Sequence, residues 1–437
     1  MKKNRRIVLL ISVVLLIALL GLAFTSNLID FPVYYAAGRS LLSGRTDLYS
    51  PDFALGRVMD YRYPPFFLLA MLPLCFLPYS IAAYVWYLLL AAAAVGCVII
   101  AGRAFSMPRR PFAAWAAVAL SVVQYFVMAL HYGNAHLLVV FLLFASMYLV
   151  LRQRDALAAA PLALGISIKL TPALLLPYFV LRKRWTLLLA VCLFVIAINV
   201  IPSLYFGFSR NNELLGTWCK HVVASQEFHE QNGPINLSLK GQLRRYFSEI
   251  DYSQRVDGDI RYPTFNIASF SYERIDQGWI VIATLLFAAG LWLIYDVSRG
   301  SLLIKDQHRS PTMARAVSLE IGLMICLTLL VGPLTSKIYF IALLWPVACL
   351  ASFAAGDDGP AGRFAGRILV AVAVANSVLP LLPGRLVQRW LLVLGVDFYV
   401  NCLLMIALGY ALVVQARAFR TRFGEQQTPA PSEARMP

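Results

Sequence analysis

Long apolar blocks separated by short polar connections run through most of the chain. The blocks are about 7–25, 79–101, 112–130, 135–151, 156–181, 185–206, 279–297, 316–335, 338–355, 366–383 and 391–416. A transmembrane helix needs about 20 consecutive apolar residues. The pattern therefore predicts an all-α polytopic membrane protein with about 11 transmembrane helices, within a range of roughly 10 to 13.

The first block has the outline of a secretory signal peptide, because Lys2, Lys3, Arg5 and Arg6 precede an apolar run that ends near Phe24. This run is longer than a typical signal-peptide core, and no small-residue cleavage site follows it. We therefore interpret it as a retained first helix.

Basic residues mark one side of the predicted bundle. They are Lys2 to Arg6, Arg103/Arg109/Arg110, Arg152/Arg154, Arg182/Lys183/Arg184, Arg299 to Arg315, Arg363/Arg367 and Arg417/Arg420/Arg422. Cytoplasmic connections of membrane proteins are enriched in Lys and Arg. The distribution predicts cytoplasmic termini and two extracytoplasmic segments, 26–78 and 207–277.

This alternation requires the block 156–181 to enter from the cytoplasm and return to it. The sequence Lys169-Leu170-Thr171-Pro172 lies at its middle, and the residue before a proline disfavours helix. We predict two short helices that meet near Lys169. A lysine at this depth either faces a cavity or partner or snorkels from a helix end to the interface, and the sequence leaves both open.

Asp30 follows the first apolar block directly, at the predicted membrane surface. One interpretation is a helix cap, since Asp is favoured there and Pro32 suits the first turn. The other is an acid that acts in a reaction at this surface. The two are compatible, because a capping acid can also point into a cleft.

Aromatic and small residues recur at helical spacing after Asp30 and predict an amphipathic helix in the membrane interface. Tyr34 and Tyr35 either anchor this helix at headgroup depth or face a substrate. The apolar stretch 66–77 is too short to span and is expected to lie in or dip into the interface.

The second extracytoplasmic segment, 207–277, has eight Lys and Arg against nine Asp and Glu. This balance argues against a surface for polyanions, and interleaved aromatic residues predict an ordered segment. Residues 1–423 are expected to form one integral membrane domain. The segment 424–437, rich in Pro, Gln and Glu, is predicted to be a disordered cytoplasmic tail.

The composition agrees with a membrane protein: of 437 residues, 60% are hydrophobic and 14% charged. The net charge of +16 resides mainly in the short connections, so we predict membrane lipids as surroundings and no nucleic-acid partner. The seven cysteines lie almost entirely in apolar blocks without ligand-like spacing. We therefore predict no disulfide framework and no metal site.

One acid and several cations map to the outer boundary of the predicted bundle. The acid is Asp30, and the cations are Arg39, Lys169, Lys240, Arg244, Arg245 and Lys337. A carboxylate can accept a proton from a hydroxyl, and Lys or Arg can hold a phosphate leaving group. The combination suits group transfer from a lipid phosphate.

Several short motifs occur in the order typical of one family. They are Asp30-Phe31-x-x-Tyr34-Tyr35-x-Ala37-Gly38, Leu48-Tyr49, Tyr63-Pro64-Pro65-Phe66 with Pro73, Gly133-Asn134, Gly165 to Pro172 ahead of Pro177, and Asn236-Leu237-Ser238-Leu239. Over roughly residues 5–350 the chain resembles glycosyltransferase family 87. The set and its order carry the resemblance more than any single motif does.

The resemblance implies the GT-C membrane glycosyltransferase fold and a polyprenyl-phosphate sugar donor, with mannose the expected sugar. It places the catalytic base on Asp30, with inversion at the anomeric carbon. The acceptor is expected to be a lipid- or glycan-linked hydroxyl, and no cofactor is expected. It further implies a bacterial inner-membrane protein whose active site faces the extracytoplasmic side.

Other candidate site residues follow from position and motif context. Candidate donor-phosphate ligands are Lys169, Arg244 and Lys337. Candidate substrate-cleft residues are Tyr34, Tyr35, Asn134, Asn236 and Tyr339.

The segment 333–339 departs from the family pattern. The family often has Pro-x-Ser-Trp followed by two histidines, where this chain has Pro333-Leu334-Thr335-Ser336-Lys337-Ile338-Tyr339. A donor-binding role of those histidines therefore cannot be transferred, and Lys337 or Tyr339 would have to replace them. The departure bears on the identity of the sugar more than on the type of reaction.

Two other classes of protein remain open at this stage. A polytopic transporter or flippase for an anionic lipid also uses broken helices around a buried charge. Against it, the two halves of the chain show no inverted repeat. A membrane assembly partner without activity is the third class.

Overall fold

The computed structural model describes residues 28–50, 53, 61–223, 235–248, 256–257, 260–261, 263–302 and 311–424. Within these ranges the chain is helical except for one short hairpin, Val256–Asp257 against Ile260–Arg261, paired antiparallel. The predicted first span 7–25 and the tail beyond Gly424 lie outside the described residues.

The first ten helices lie between residues 31 and 218. They are α1 Phe31–Leu42, α2 Pro65–Cys75, α3 Tyr79–Ala104, α4 Pro111–Tyr132, α5 His136–Leu151, α6 Asp155–Ile168, α7 Leu176–Leu181, α8 Trp185–Val200, α9 Ser203–Phe206 and α10 Phe208–Trp218. A 3-10 turn, Thr171–Leu175, precedes α7, and a π turn, Cys219–Val223, follows α10.

The remaining helices form the second half of the bundle. They are α11 Leu239–Phe247, α12 Tyr272–Leu302, α13 Pro311–Val331, α14 Leu344–Gly356, α15 Pro360–Ser377, α16 Arg385–Leu394 and α17 Val396–Gly424. Two 3-10 segments, Lys337–Leu343 and Leu379–Leu381, precede α14 and follow α15.

Eight of the described segments are long and apolar enough to cross a membrane, so this is an all-helical polytopic membrane protein. They coincide with eight of the predicted spans. The predicted span 135–151 folds as α5, whose 16 residues rise only about 24 Å, less than the roughly 30 Å hydrocarbon core.

The predicted span 156–181 is broken, as its sequence indicates. Helix α6 ends at Ile168, Lys169 has extended backbone dihedrals, and a 3-10 turn leads into α7. Pro172 accounts for the end of the α-helix, because it has no backbone N–H to bond to the carbonyl of Ile168 and its ring clashes with that carbonyl in a continuous helix.

The centre of the bundle consists of α13 and α14. Of the apolar window that includes α14, 89% is buried inside the protein, against 17% for α8 and α12. Large apolar side chains on α8, among them Leu189 and Ile196, are correspondingly exposed. In a membrane protein such outer faces contact hydrocarbon.

Helix α1 is more buried than an amphipathic interfacial helix would be. Eight of its twelve residues are buried, because α2 and α3 pack around it. Gly38 allows α2 to approach closely, since a Cβ there would lie 2.2 Å from Cys75 Sγ. Helix α1 is thereby packed closely against α2.

The predicted cytoplasmic connections meet at the bundle end opposite Asp30. Arg184 pairs with Asp155 at 3.1 Å, and Arg109 pairs with Asp358. Deeper in this end, Glu320 is buried and bonded to Arg182 and to the Tyr178 hydroxyl. The fold thus separates a charged end from the end that carries Asp30, and the membrane side of each stays a prediction.

Cysteine labelling tests this orientation. In a Cys192→Ser, Cys219→Ser background, which removes the two exposed native thiols, we expect Thr46→Cys to react with a membrane-impermeant maleimide on intact cells. Arg154→Cys should react only after permeabilisation. Both positions are exposed. The reverse pattern would overturn the orientation.

Candidate active site

Asp30 stands immediately before α1, but its side chain does not cap the helix. Its backbone dihedrals (φ −87°, ψ −29°) differ from the extended geometry typical of a capping residue, and the carboxylate accepts no helix N–H. Instead, Asp30 Oδ2 accepts a hydrogen bond of 2.6 Å from Asn134 Nδ2. The capping interpretation of Asp30 therefore has no support in its hydrogen bonds.

Asn134 is held so that its amide nitrogen faces Asp30. Its Oδ1 accepts a 2.8 Å bond from the backbone N–H of His136 at the start of α5. Gly133 ends α4 in the left-handed region (φ +66°), where glycine is favoured. Trp86 Nε1 donates to the carbonyl oxygen of Gly133 at 2.8 Å. The turn therefore presents a fixed donor to the carboxylate.

Burial raises the pKa of Asp30 above its ordinary value. The hydrogen bond from Asn134 and the charge of Lys169 both act in the opposite direction and lower the pKa. The side chain keeps partial exposure, and its Oδ1 accepts no bond from any residue that the structure describes. A carboxylate with a raised pKa and a free oxygen can accept a proton from a hydroxyl.

Lys169 lies in the break between α6 and α7 and reaches the same site. Its Nζ donates to the Tyr339 hydroxyl and lies 3.6 Å from the centre of that ring, in cation–π contact. The opposing helix break, where α13 gives way to the 3-10 segment Lys337–Leu343, supplies Tyr339. Two interruptions of regular helix thus bring a cation and a hydroxyl beside Asp30.

Tyrosines from α1 and from the chain just before α2 complete this group. The hydroxyls of Tyr34 and Tyr63 are 2.9 Å apart, and Tyr34 Oη also accepts from the backbone N–H of Ala135 at 3.4 Å. Burial and nearby negative charge raise the pKa of both tyrosines, so both stay protonated. They are hydrogen-bonding groups beside the base and not bases themselves.

We call Asp30, Tyr34, Tyr63, Asn134, Lys169 and Tyr339, together with His136, the Asp30 cluster. The sequence prediction did not include Tyr63 and His136 among the site residues. Tyr63 belongs to the Tyr-Pro-Pro-Phe motif, and His136 follows Asn134 by two residues. Membership in this motif could have identified Tyr63 as a site residue, and the short spacing from Asn134 could have identified His136.

Two predicted cleft residues have other hydrogen-bond partners. The Tyr35 hydroxyl donates to the Leu77 carbonyl at 2.8 Å and ties α1 to the α2–α3 turn. Asn236 Oδ1 accepts from the backbone of Thr335 at 3.0 Å, and its Nδ2 donates to the Pro333 carbonyl at 2.9 Å. Asn236 therefore joins the chain just before α11 to the turn that leads to Tyr339.

The three predicted phosphate ligands are placed differently. Lys169 belongs to the Asp30 cluster. Arg244 is buried and forms a bidentate pair with Asp276 at 3.0 and 2.7 Å, and Lys240 joins the same carboxylate at 2.9 Å. Lys337 Nζ lies 3.7 Å from Asp397. Lys169 is therefore the strongest of the three as a substrate cation.

Metal ligands are not assembled in this part of the molecule. Across the described residues, no group of three or more His, Cys, Asp or Glu side chains is placed to hold an ion. The chemistry argued below uses the protein's own side chains.

The Asp30 cluster is a candidate site at one end of a helical membrane bundle. The profile of glycosyltransferase family 87 matches residues 61–329, more than half of the chain, and the chain belongs to this family. It is a membrane glycosyltransferase. The matched range contains Asn134, His136 and Lys169, whereas Asp30 and Tyr339 lie outside it.

Two curated relatives are similar over part of their length. Both are named polyprenol-phosphate-mannose-dependent alpha-(1-2)-phosphatidylinositol pentamannoside mannosyltransferase. The protein of Mycolicibacterium smegmatis is 30% identical over 169 residues, 37% of this chain and 39% of the relative. That of Mycobacterium tuberculosis is 29% identical over 187 residues, 40% and 41% respectively. The similarity thus spans about two fifths of each relative, and no solved structure matches.

The hydrogen bond from Asn134 to Asp30 predicts a pH effect. Asn134→Ala removes a contact that lowers the pKa of Asp30, so this pKa should rise further. Because a general base must be unprotonated, the acidic limb of glycosyl transfer should move to higher pH, by about 1 unit if the lost interaction is worth about 1.4 kcal/mol. The measurement is the pH dependence of kcat/KM.

Asn199→Ala is the matched control. Asn199 donates to Ser167 Oγ on α6 and to the Val195 carbonyl of its own helix, α8, and has no hydrogen bond to Asp30. The acidic limb of the pH profile of Asn199→Ala should equal that of the wild type. If the acidic limb of the pH profile is unshifted in Asn134→Ala, the hydrogen bond from Asn134 does not set the pKa of Asp30.

Proposed function

We propose that the protein transfers a sugar, with mannose expected, from a polyprenyl-phosphate donor to the hydroxyl of a lipid- or glycan-linked acceptor. The observation that supports this most is the Asp30 carboxylate, held by Asn134 with one oxygen free and with Lys169 nearby, in a chain of glycosyltransferase family 87.

The reaction would be a single displacement. The acceptor oxygen attacks the anomeric carbon and bonds to it as the bond between this carbon and the phosphate oxygen breaks. The hydroxyl proton passes to Oδ1 of Asp30, and the bond electrons leave with the polyprenyl phosphate. Attack opposite the leaving group inverts the anomeric carbon.

Lys169 and the Tyr339 hydroxyl are suited to stabilise the leaving phosphate. Both lie at helix interruptions beside Asp30, where a cation and a hydroxyl donor can stabilise the negative charge that develops on the phosphate. The partly exposed Lys169 can exchange its bond to Tyr339 for a phosphate oxygen. Tyr34 and Tyr63 are placed to bind sugar hydroxyls beside the base.

The names of the two relatives support a mannose donor and a lipid-linked glycan acceptor. The basic connections support an extracytoplasmic site, because they meet at the bundle end opposite Asp30. We accordingly place the reaction on the outer side of a bacterial inner membrane. Transfer of radiolabel from polyprenyl-phosphate mannose by the purified protein tests this function.

Substitution of Asp30 tests the role of the base. Asp30→Asn is nearly isosteric and keeps an acceptor oxygen for Asn134, so folding and membrane insertion should be preserved. Loss of a general base lowers rates by about 100- to 10,000-fold. We expect Asp30→Asn and Asp30→Ala to lose transfer to this extent, measured as kcat with saturating donor.

The outcome for Asp30→Asn separates catalysis from capping. Asn and Asp cap helices about equally well, so a mere cap predicts wild-type transfer in Asp30→Asn and a fault confined to Asp30→Ala. Wild-type transfer by Asp30→Asn would show that this residue is not the base.

A comparison of two cations tests the phosphate assignment. Lys169→Met should raise the donor KM by 10-fold or more, since a hydrogen bond to a charged group contributes about 1.5–3 kcal/mol, while the protein stays folded. Arg244→Met should instead lower the thermal unfolding temperature, because it removes the bidentate partner of Asp276.

The two variants serve as controls for each other. Donor KM is measured on whatever fraction of Arg244→Met is folded. If Arg244→Met folds normally and loses donor binding while Lys169→Met binds like the wild type, the phosphate site lies near Arg244 and not in the Asp30 cluster.

A further inference from the structure

His136 is a buried polar side chain whose ring lacks hydrogen bonds. It is the first residue of α5, and only 5% of its surface is exposed. Neither Nδ1 nor Nε2 has a hydrogen-bond partner among the described residues. The backbone of Tyr339 lies near the ring but outside hydrogen-bond geometry.

Such an arrangement is unfavourable for folding alone. A buried donor or acceptor without a partner is destabilising, and buried polar groups in native proteins are satisfied in the great majority of cases. A phenylalanine would fill a similar volume and stack on Tyr339 without unsatisfied nitrogens. The imidazole is therefore better explained by a ligand than by packing.

The position of the ring indicates which ligand. It stacks on Tyr339 with 4.2 Å between ring centres and 28° between ring planes. The Tyr339 hydroxyl in turn accepts the hydrogen bond from Lys169. Lys169 also interacts electrostatically with the imidazole. The imidazole N–H and Lys169 Nζ, both in contact with Tyr339, are hydrogen-bond donors that together suit an anion.

We propose that His136 binds the donor, with an imidazole N–H donating to an oxygen of the polyprenyl phosphate. This inference rests on the proposed function. When the phosphate enters, Lys169 exchanges the Tyr339 hydroxyl for a phosphate oxygen, and Tyr339 moves aside from the imidazole. Its 3-10 segment, Lys337–Leu343, is a type of helix often found at hinges.

The arrangement also gives His136 two separate roles. Its backbone N–H orients Asn134, which holds Asp30, and its ring would hold the leaving group. One residue at the start of α5 thereby sets the distance between base and phosphate. Substitution of the side chain changes only the second role.

The test uses polyprenyl phosphate alone as probe, with thermal unfolding and donor kinetics as readouts. In His136→Phe the affinity for polyprenyl phosphate should fall about 10- to 100-fold, the loss expected for one hydrogen bond to a charged group. The donor KM should rise by a similar factor. The unfolding temperature without ligand should stay equal to that of the wild type or rise.

His131→Phe is the matched control. His131 lies in the last turn of α4, contacts the ring of Tyr132, and is partly exposed. It should bind polyprenyl phosphate like the wild type. His136→Gln, which restores an N–H near the position of Nε2, should recover part of the affinity that His136→Phe loses.

The outcomes distinguish this inference from the proposed function. If the wild type transfers mannose and His136→Phe binds polyprenyl phosphate equally well, His136 is not a donor ligand. Loss of affinity together with a lower unfolding temperature, and no recovery in His136→Gln, would also overturn it in favour of a packing role. If the wild type neither binds polyprenyl phosphate nor transfers mannose, the proposed function itself fails.

Discussion

One hydrogen bond organises this end of the molecule: Asn134 Nδ2 donates to Asp30 Oδ2 across 104 residues of sequence. It is short because the acceptor is charged. It joins the start of α1 to the α4–α5 turn, and both ends are fixed independently. The Asp30 backbone N–H bonds to Tyr132, and Asn134 is oriented by the start of α5. Without this hydrogen bond, the Asp30 carboxylate would lack a fixed orientation. It would also lack a contact that lowers its pKa.

The site also depends on irregular backbone inside an apolar bundle. Non-helical backbone at membrane depth is tolerated only where protein or water satisfies its polar groups. Here Asn236 satisfies the turn before Tyr339 through Pro333 and Thr335, and the amide of Lys169 still bonds to Gly165. Asn236, in the segment 207–277, therefore contributes to the site by supporting a helix break, although Lys240 and Arg244 of this segment are paired with Asp276.

Local patterns in the sequence predicted the spans, because length and hydropathy are local properties, and the break near Lys169, because Pro172 acts locally. They did not predict the partners of buried charges. Arg244 pairs with Asp276 and Lys337 with Asp397, and only the fold shows that these cations are already occupied. His136 was missed for the same reason, since its isolation from partners is a property of packing. Asp30 was predicted as a site residue from the order of the motifs. Local sequence properties alone do not distinguish a catalytic acid at this position from a helix cap.

The movement of charge in the proposed reaction explains why Lys169 lies near Asp30 without forming a salt bridge to it. In the proposed reaction, Asp30 carries a negative charge before transfer and the donor phosphodiester carries another; afterwards, Asp30 is protonated and the phosphate monoester has gained the charge. Total charge is unchanged, and one negative charge has moved from carboxylate to phosphate. A direct salt bridge would hold this charge on Asp30 and weaken it as a base. Lys169 instead lowers the pKa of Asp30 only through space and offers its hydrogen bonds elsewhere. Its interaction therefore strengthens as the charge moves, which is the condition for stabilising a transition state more than a ground state.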